Sequence, residues 1–190
     1  MPTKDELIRK LGAIPQASWK RRPEVLLQQN LPKPLHQVNP RTILGDSWWN
    51  KTRQAAYEST AFHCIACGVY KNDAEFRHVL DAHECYEINY VKGLLKFLEV
   101  VPLCISCHSY IHSGRLEMLL RKGEIPQARY VKIIQHGDKV LRDAGLLKPE
   151  PYGGPFAEWS KWRLVIDGKK YPPKFKSYDE WAKHFSGSEE

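Results

Sequence analysis

Two Cys-x-x-Cys pairs, Cys64-Ile-Ala-Cys67 and Cys104-Ile-Ser-Cys107, limit this 190-residue chain more than any other feature. Two residues between cysteines let both sulfurs of a pair face one tetrahedral ion, and Gly68 permits the tight turn behind the first pair. Four thiolates around Zn²⁺ make a closed site that staples a small fold and leaves no position for substrate. Two other readings fit parts of the pattern. Cys104-x-x-Cys107-His108 matches covalent haem attachment, but leaves the first pair without a role. A redox dithiol needs one pair, not two. Structural zinc therefore leads. It also suits a reducing cytoplasmic compartment, where such pairs bind metal more often than they form disulfides. Cys85, the odd cysteine, reads as a small buried residue.

The rest of the chain arranges itself around that staple. Residues 1–45 read as an N-terminal arm. Thr3 and Glu6 can cap a short first helix, after which Pro15, Pro23, Pro32, Pro34 and Pro40 block regular structure. Residues 46–123 form the predicted core. A helix capped by Asp46 or Ser47 reaches about Tyr57, then come the first cysteine pair, a strand over residues 78–90 and a turn at Val91-Lys92-Gly93. A return strand over 94–103 leads to the second pair and a helix over about 106–121. Residues 124–190 form a C-terminal extension. It holds an amphipathic helix over 127–144, a hairpin around Asp167-Gly168, and a last helix from Tyr178 to Phe185 with Ser177 as cap and Glu180 as capping-box partner. The fold class is α+β.

The formal net charge is +7. A basic balance favours a polyanionic partner, because Lys and Arg near phosphates release condensed counterions. No apolar run is long enough for a membrane span, and the charged N-terminus lacks a signal-peptide core. Lys169, Lys170, Lys174 and Lys176 alternate with Tyr171 and Phe175. That pattern fits either a nucleic-acid patch or a solvated face.

His108 follows the last cysteine and His112 lies four residues on, one turn along a helix, a spacing at which two imidazoles can share an ion. His83 lies mid-strand, with Asp81 on its own face and Glu84 next in line.

These residues together resemble the HNH (ββα-metal) endonucleases, in the subgroup with four zinc-binding cysteines. The resemblance rests on Cys64-x-x-Cys67, on Leu80-Asp81-Ala82-His83-Glu84, on Pro102-Leu103-Cys104-Ile-Ser-Cys107-His108, and on Tyr110-Ile-His112-Ser-Gly-Arg115. It spans residues 61–115. It implies a small ββα-metal core that hydrolyses DNA phosphodiester bonds, with double-stranded DNA ahead of RNA as substrate. His83 falls on the family's general base, His108 on a metal ligand, and His112 on a further ligand of one branch. Where the family has its middle asparagine, this chain has Glu99. The ligand position before the base holds Ala82, so Asp81 or Glu84 would supply the carboxylate, or His83 and Glu84 would exchange roles. The implied catalytic ion is Mg²⁺ or Mn²⁺, beside the structural Zn²⁺. Arg77, Lys92, Lys96, Arg115 and Arg121 are the cations expected to meet nucleic acid. Such cores occur in phage, mobile-element and defence nucleases. The alternative is a non-catalytic zinc-dependent nucleic-acid-binding module.

Overall fold

The computed structural model describes residues 19–186, so the proposed helix at residues 1–12 lies outside the described residues. The architecture is mixed α+β. Four strands, β1 (Leu80–Asn89), β2 (Leu94–Cys104), β3 (Arg163–Ile166) and β4 (Lys169–Tyr171), form one sheet in the order β1-β2-β3-β4. Among the described residues, five helices accompany it: α1 (Pro40–Ser59), α2 (Ile105–Ile111), α3 (Ser113–Arg121), α4 (Gln127–Asp143) and α5 (Tyr178–Ser186). Among the described residues, no helix is long and apolar enough to cross a membrane. The chain divides into two compact units. One takes the segment ending at Gln28 with Thr52–His83 and Val100–Glu150; the other takes Gln29–Lys51, Glu84–Glu99 and the segment from Pro151.

In the first unit the expected single helix after the second cysteine pair is two. His112, at φ −89° and ψ 44°, ends α2 and begins α3. Helix α2 packs on α4 through Tyr110, which is 1% exposed and donates from its hydroxyl to Asp138 at 2.7 Å. The ring lies directly against the α4 backbone at Gly137, where a Cβ would come within 2.2 Å of it. Ile133, Gly137 and Leu141 form the buried stripe of α4, a repeat of four that matches one helix face. The proline-punctuated stretch from residue 19 on packs against this unit, as an arm laid over the core would. Val25 and Leu26 are buried on a short 3₁₀ turn over Pro23–Leu27, and Arg22 N donates to Ile65 O at 2.7 Å.

In the second unit a core of Leu35, Val38, Leu95, Trp162, Leu164 and Ile166 covers one face of the sheet. Strand β3 runs parallel to β2, pairing Leu95 with Leu164, and then turns at Asp167-Gly168 to pair antiparallel with β4. Helix α1 bends at Gly45, whose φ of 84° no other residue type adopts easily, so the regular helix starts beside the expected caps Asp46 and Ser47. Helix α5 is capped as expected by Ser177, whose Oγ accepts from Glu180 N, while Glu180 reaches back to Lys176 N. Phe175 is buried and Tyr171 packs against the core, so neither alternating aromatic is open for base stacking.

Candidate metal centres

The first cluster joins a knuckle to a helix end. Gly68, at φ 83°, donates to Cys64 O at 2.8 Å and closes the turn, while Cys64 N donates to Val69 O. Arg21 clasps this turn, its guanidinium donating to Cys67 O at 3.2 Å. Cys104 sits in extended conformation at the N-cap of α2, and its sulfur accepts from Cys107 N at 3.5 Å. The four Sγ atoms of Cys64, Cys67, Cys104 and Cys107 lie within 4.8 Å of one another, with Cys67 and Cys104 at 3.7 Å. A tetrahedron with Zn–S bonds of about 2.3 Å has edges of about 3.8 Å. The cluster therefore suits a zinc ion, and no disulfide links the cysteines. Burial works against a thiolate at Cys64, yet hydrogen bonds from Cys104, Cys107 and Cys67 bring it well below the ordinary thiol range. Cys107 moves the other way, pushed up by the neighbouring sulfurs and by burial. A divalent ion removes that conflict by holding all four as thiolates.

The second cluster gathers His83 from β1, His108 from α2 and His112 from the α2–α3 junction. One nitrogen of each lies within 4.8 Å of the others. Their rings meet edge to face, with centroids 5.3 Å apart for His83–His108, 5.1 Å for His83–His112 and 4.8 Å for His108–His112. The bend at His112 and the four-residue spacing together turn two imidazoles toward the strand. Asp81, two residues before His83 and so on the same strand face, pairs with His108 Nδ1 at 2.9 Å. That bond fixes the tautomer and leaves Nε2 of His108 open, the arrangement in which metal-binding histidines are held. Gln28 lies 3.2 Å from His83 Nε2, bracing that ring from the N-terminal segment.

Electrostatics favour ligands over cations here. Burial, then the fields of His108 and His112, lowers His83 to about 2, and it is 2% exposed. Burial, His108 and Arg115 lower His112 to about 4. Both imidazoles therefore stay neutral, with lone pairs available, across ordinary pH. The His108 hydrogen bond, outweighing burial and joined by the fields of Arg77 and Arg115, holds Asp81 below the usual carboxylate range.

The remaining expected residues are distributed more widely. Asp81 meets the trio through His108. Glu84 and Glu99 are half-buried, each engaged in further interactions, and belong to the second unit. Arg77, Arg115 and Arg121 are exposed on the first unit; Lys92 and Lys96 are exposed on the second. Cys85 is buried at 7% exposure. Two contributors carried no earlier signal. Gln28 sits in a proline-punctuated stretch without periodicity. His136 of α4 places Nε2 3.3 Å from Cys107 Sγ. The hydrogen bond to Cys104 raises His136 against the opposing effect of burial, as expected for an imidazole beside thiolates. Comparison with protein-family models, with curated proteins and with solved structures gives no match.

Proposed function

We propose that this protein is a metal-dependent endonuclease of the HNH (ββα-metal) type that hydrolyses DNA. The observation that carries the proposal is the convergence of His83, His108 and His112 beside a separate four-cysteine cluster, on a hairpin followed directly by a helix. One cluster has the four ligands of a closed site, suited to holding the chain together; the other gathers three imidazoles, one donor short of a closed tetrahedral set.

In this reading His83, His108 and His112 hold the catalytic ion, and Asp81 orients His108 from behind. Three imidazoles match Zn²⁺ or Ni²⁺ better than Mg²⁺ or Mn²⁺, which prefer oxygen donors. When bound, such an ion supplies charge neutralisation for a phosphodiester whose negative charge grows on the way to the transition state. His83 then acts as a ligand, as in the exchanged assignment of His83 and Glu84; Glu84 itself follows His83 on β1, so strand alternation turns it to the other face and the base role stays unassigned. Arg77 and Arg115, whose fields reach Asp81, would draw the phosphate backbone toward the site.

The test combines metal titration with nicking of supercoiled plasmid, using Mn²⁺, Zn²⁺ and Mg²⁺, with and without chelator. His83→Ala is expected to lose both the second metal and cleavage. Glu84→Gln, on the opposite strand face, is expected to keep both the metal and the rate; a loss of about 10²–10⁴-fold, the usual worth of a general base, would give Glu84 that role instead. A His83→Ala protein that still binds two metals but no longer cuts restores His83 as the base. A wild-type protein that binds DNA and never cuts it with any ion leaves the zinc-dependent binding module instead.

A further inference from the structure

The sheet of the second unit has an inner face built into the core and an outer face of different character. Residues paired across neighbouring strands share a face. Leu95, Leu164 and Tyr171 are in line across β2, β3 and β4 and face inward. The next line, Lys96, Val165 and Lys170, therefore faces outward, with Leu94 and Arg163 beside it. Lys96 and Lys170 are exposed, and Leu98, on the same side of β2, is 50% exposed. Neighbouring strands lie about 4.8 Å apart, so the two lysines stand roughly 10 Å apart across the sheet.

The charges on this face are mostly uncommitted. Lys170 has no ion-pair partner among the described residues. Lys96 meets Glu87 at 3.8 Å, with both side chains well exposed, a pairing that competes weakly with a phosphate. Arg163 donates to the carbonyls of Ser160 and Trp162, which pins its guanidinium over β3 without neutralising it. Glu87 is the acid that faces this side, and Asp167 lies at the β3–β4 turn beside Lys169.

We infer that this outer sheet face is a docking surface for the sugar-phosphate backbone of a nucleic acid. The inference rests on the reading of the protein as a nucleic-acid enzyme but concerns residues of the second unit, none of them a metal ligand. Charge complementarity selects the occupant. Lys96, Arg163 and Lys170 stand on three adjacent strands within about 10 Å across the sheet, a positive cluster that suits the closely spaced phosphates of a duplex strand. Val165, between Lys96 and Lys170, and Leu98, beyond Lys96 on β2, offer apolar contact to sugars. No aromatic side chain stands in the outward line Lys96–Val165–Lys170, so the surface grips the backbone and does not read or stack bases.

The test uses the full chain with zinc bound and no other divalent ion added. Binding of a short labelled DNA duplex is followed by fluorescence anisotropy between about 50 and 200 mM salt. Lys96→Ala/Lys170→Ala is expected to bind at least tenfold more weakly, with the salt slope reduced by about two, since each phosphate contact contributes about 0.9. Lys96→Arg/Lys170→Arg is expected to restore both. Arg163 is left intact because its backbone contacts brace the loop. An alanine variant with unchanged unfolding midpoint, affinity and salt slope overturns the inference, as does a wild-type protein that binds no DNA. Plasmid nicking by the same samples separates the two readings. Cleavage with binding unaffected by the lysine changes retains the metal centre and discards the docking face. Salt-dependent binding that the lysine changes weaken, without cleavage by any ion, does the reverse.

Discussion

Replacing Gly137 by alanine is expected to weaken the whole first unit, although the change improves intrinsic helix propensity. In an open helix interior the exchange gains about 0.8–1 kcal/mol. At this position the new Cβ would lie 2.2 Å from Cγ and Cδ2 of Tyr110 and 2.5 Å from Cε2. The ring must retreat by about 1 Å or more before ordinary contact returns, and it is fully buried. Forcing one extra methyl group into a packed interior typically costs about 1–3 kcal/mol. The shift also stretches the Tyr110 hydroxyl bond to the Asp138 carboxylate, whose charged partner makes it worth about 1.5–3 kcal/mol. The balance is a loss of about 1.5–5 kcal/mol if the hydroxyl bond is broken and about 0–2 kcal/mol if it survives. Tyr110 belongs to α2, the helix that carries Cys107 and His108, so faster release of zinc to a chelator should accompany the loss. Urea unfolding of zinc-loaded protein measures the first effect and a colorimetric chelator the second. Gly114→Ala is the control, because a Cβ there meets nothing within 4 Å. It should be neutral or stabilising by a few tenths of a kcal/mol. If both glycine variants shift the midpoint in the same direction, the packing argument is wrong.

Asp81→Asn keeps an acceptor near His108 but removes its charge. Metal affinity at the histidine trio should fall about 10–100-fold, with the cysteine site unaffected, as read by calorimetric titration of zinc-loaded protein; equal affinity would show that the pair does not orient the ligand. Cys64→Ser should abolish both zinc stoichiometry and cooperative unfolding, and a soluble, zinc-free, fully folded variant would refute the stapling role. Acid sensitivity gives an independent check. His83 and His112 have folded values near 2 and near 4, below the unfolded value near 6.5, so unfolding takes up protons between these limits. Their contribution to stability is complete above the unfolded value and declines as pH falls below it. By pH 5 each should have lost about 2 kcal/mol when the trio holds no metal. A His83→Asn/His112→Asn protein whose stability falls as steeply over that range would contradict the assignment.

Local chemistry made the metal centres legible in sequence, and nonlocal pairing hid what surrounds them. Both cysteine knuckles, the close spacing of His108 and His112, the turn at Asp167-Gly168 and the boundaries of α4 follow from neighbours in the chain. The parallel pairing of β3 with β2 does not, since it joins segments more than sixty residues apart and leaves no periodic trace. The break at His112 was hidden because the sequence around it keeps helical character on both sides. Gln28 and His136 escaped for different reasons. Gln28 lies on an irregular segment where spacing has no meaning. His136 acts through a sulfur on another helix. Burial separates the lysines and aromatics near residues 169–176, with Phe175 buried, Tyr171 partly buried against the core and the lysines exposed.

Cys104, Cys107, His108 and His112 crowd four of the seven candidate ligands into nine consecutive residues. The anchor and the reactive centre thus hang on a single short rod, and neither coordination sphere can be adjusted by mutation without tugging on the other. Swapping one metal for another of different radius at the cysteines should therefore register at the imidazoles, making occupancy of the first site a mechanical tuning screw for the second.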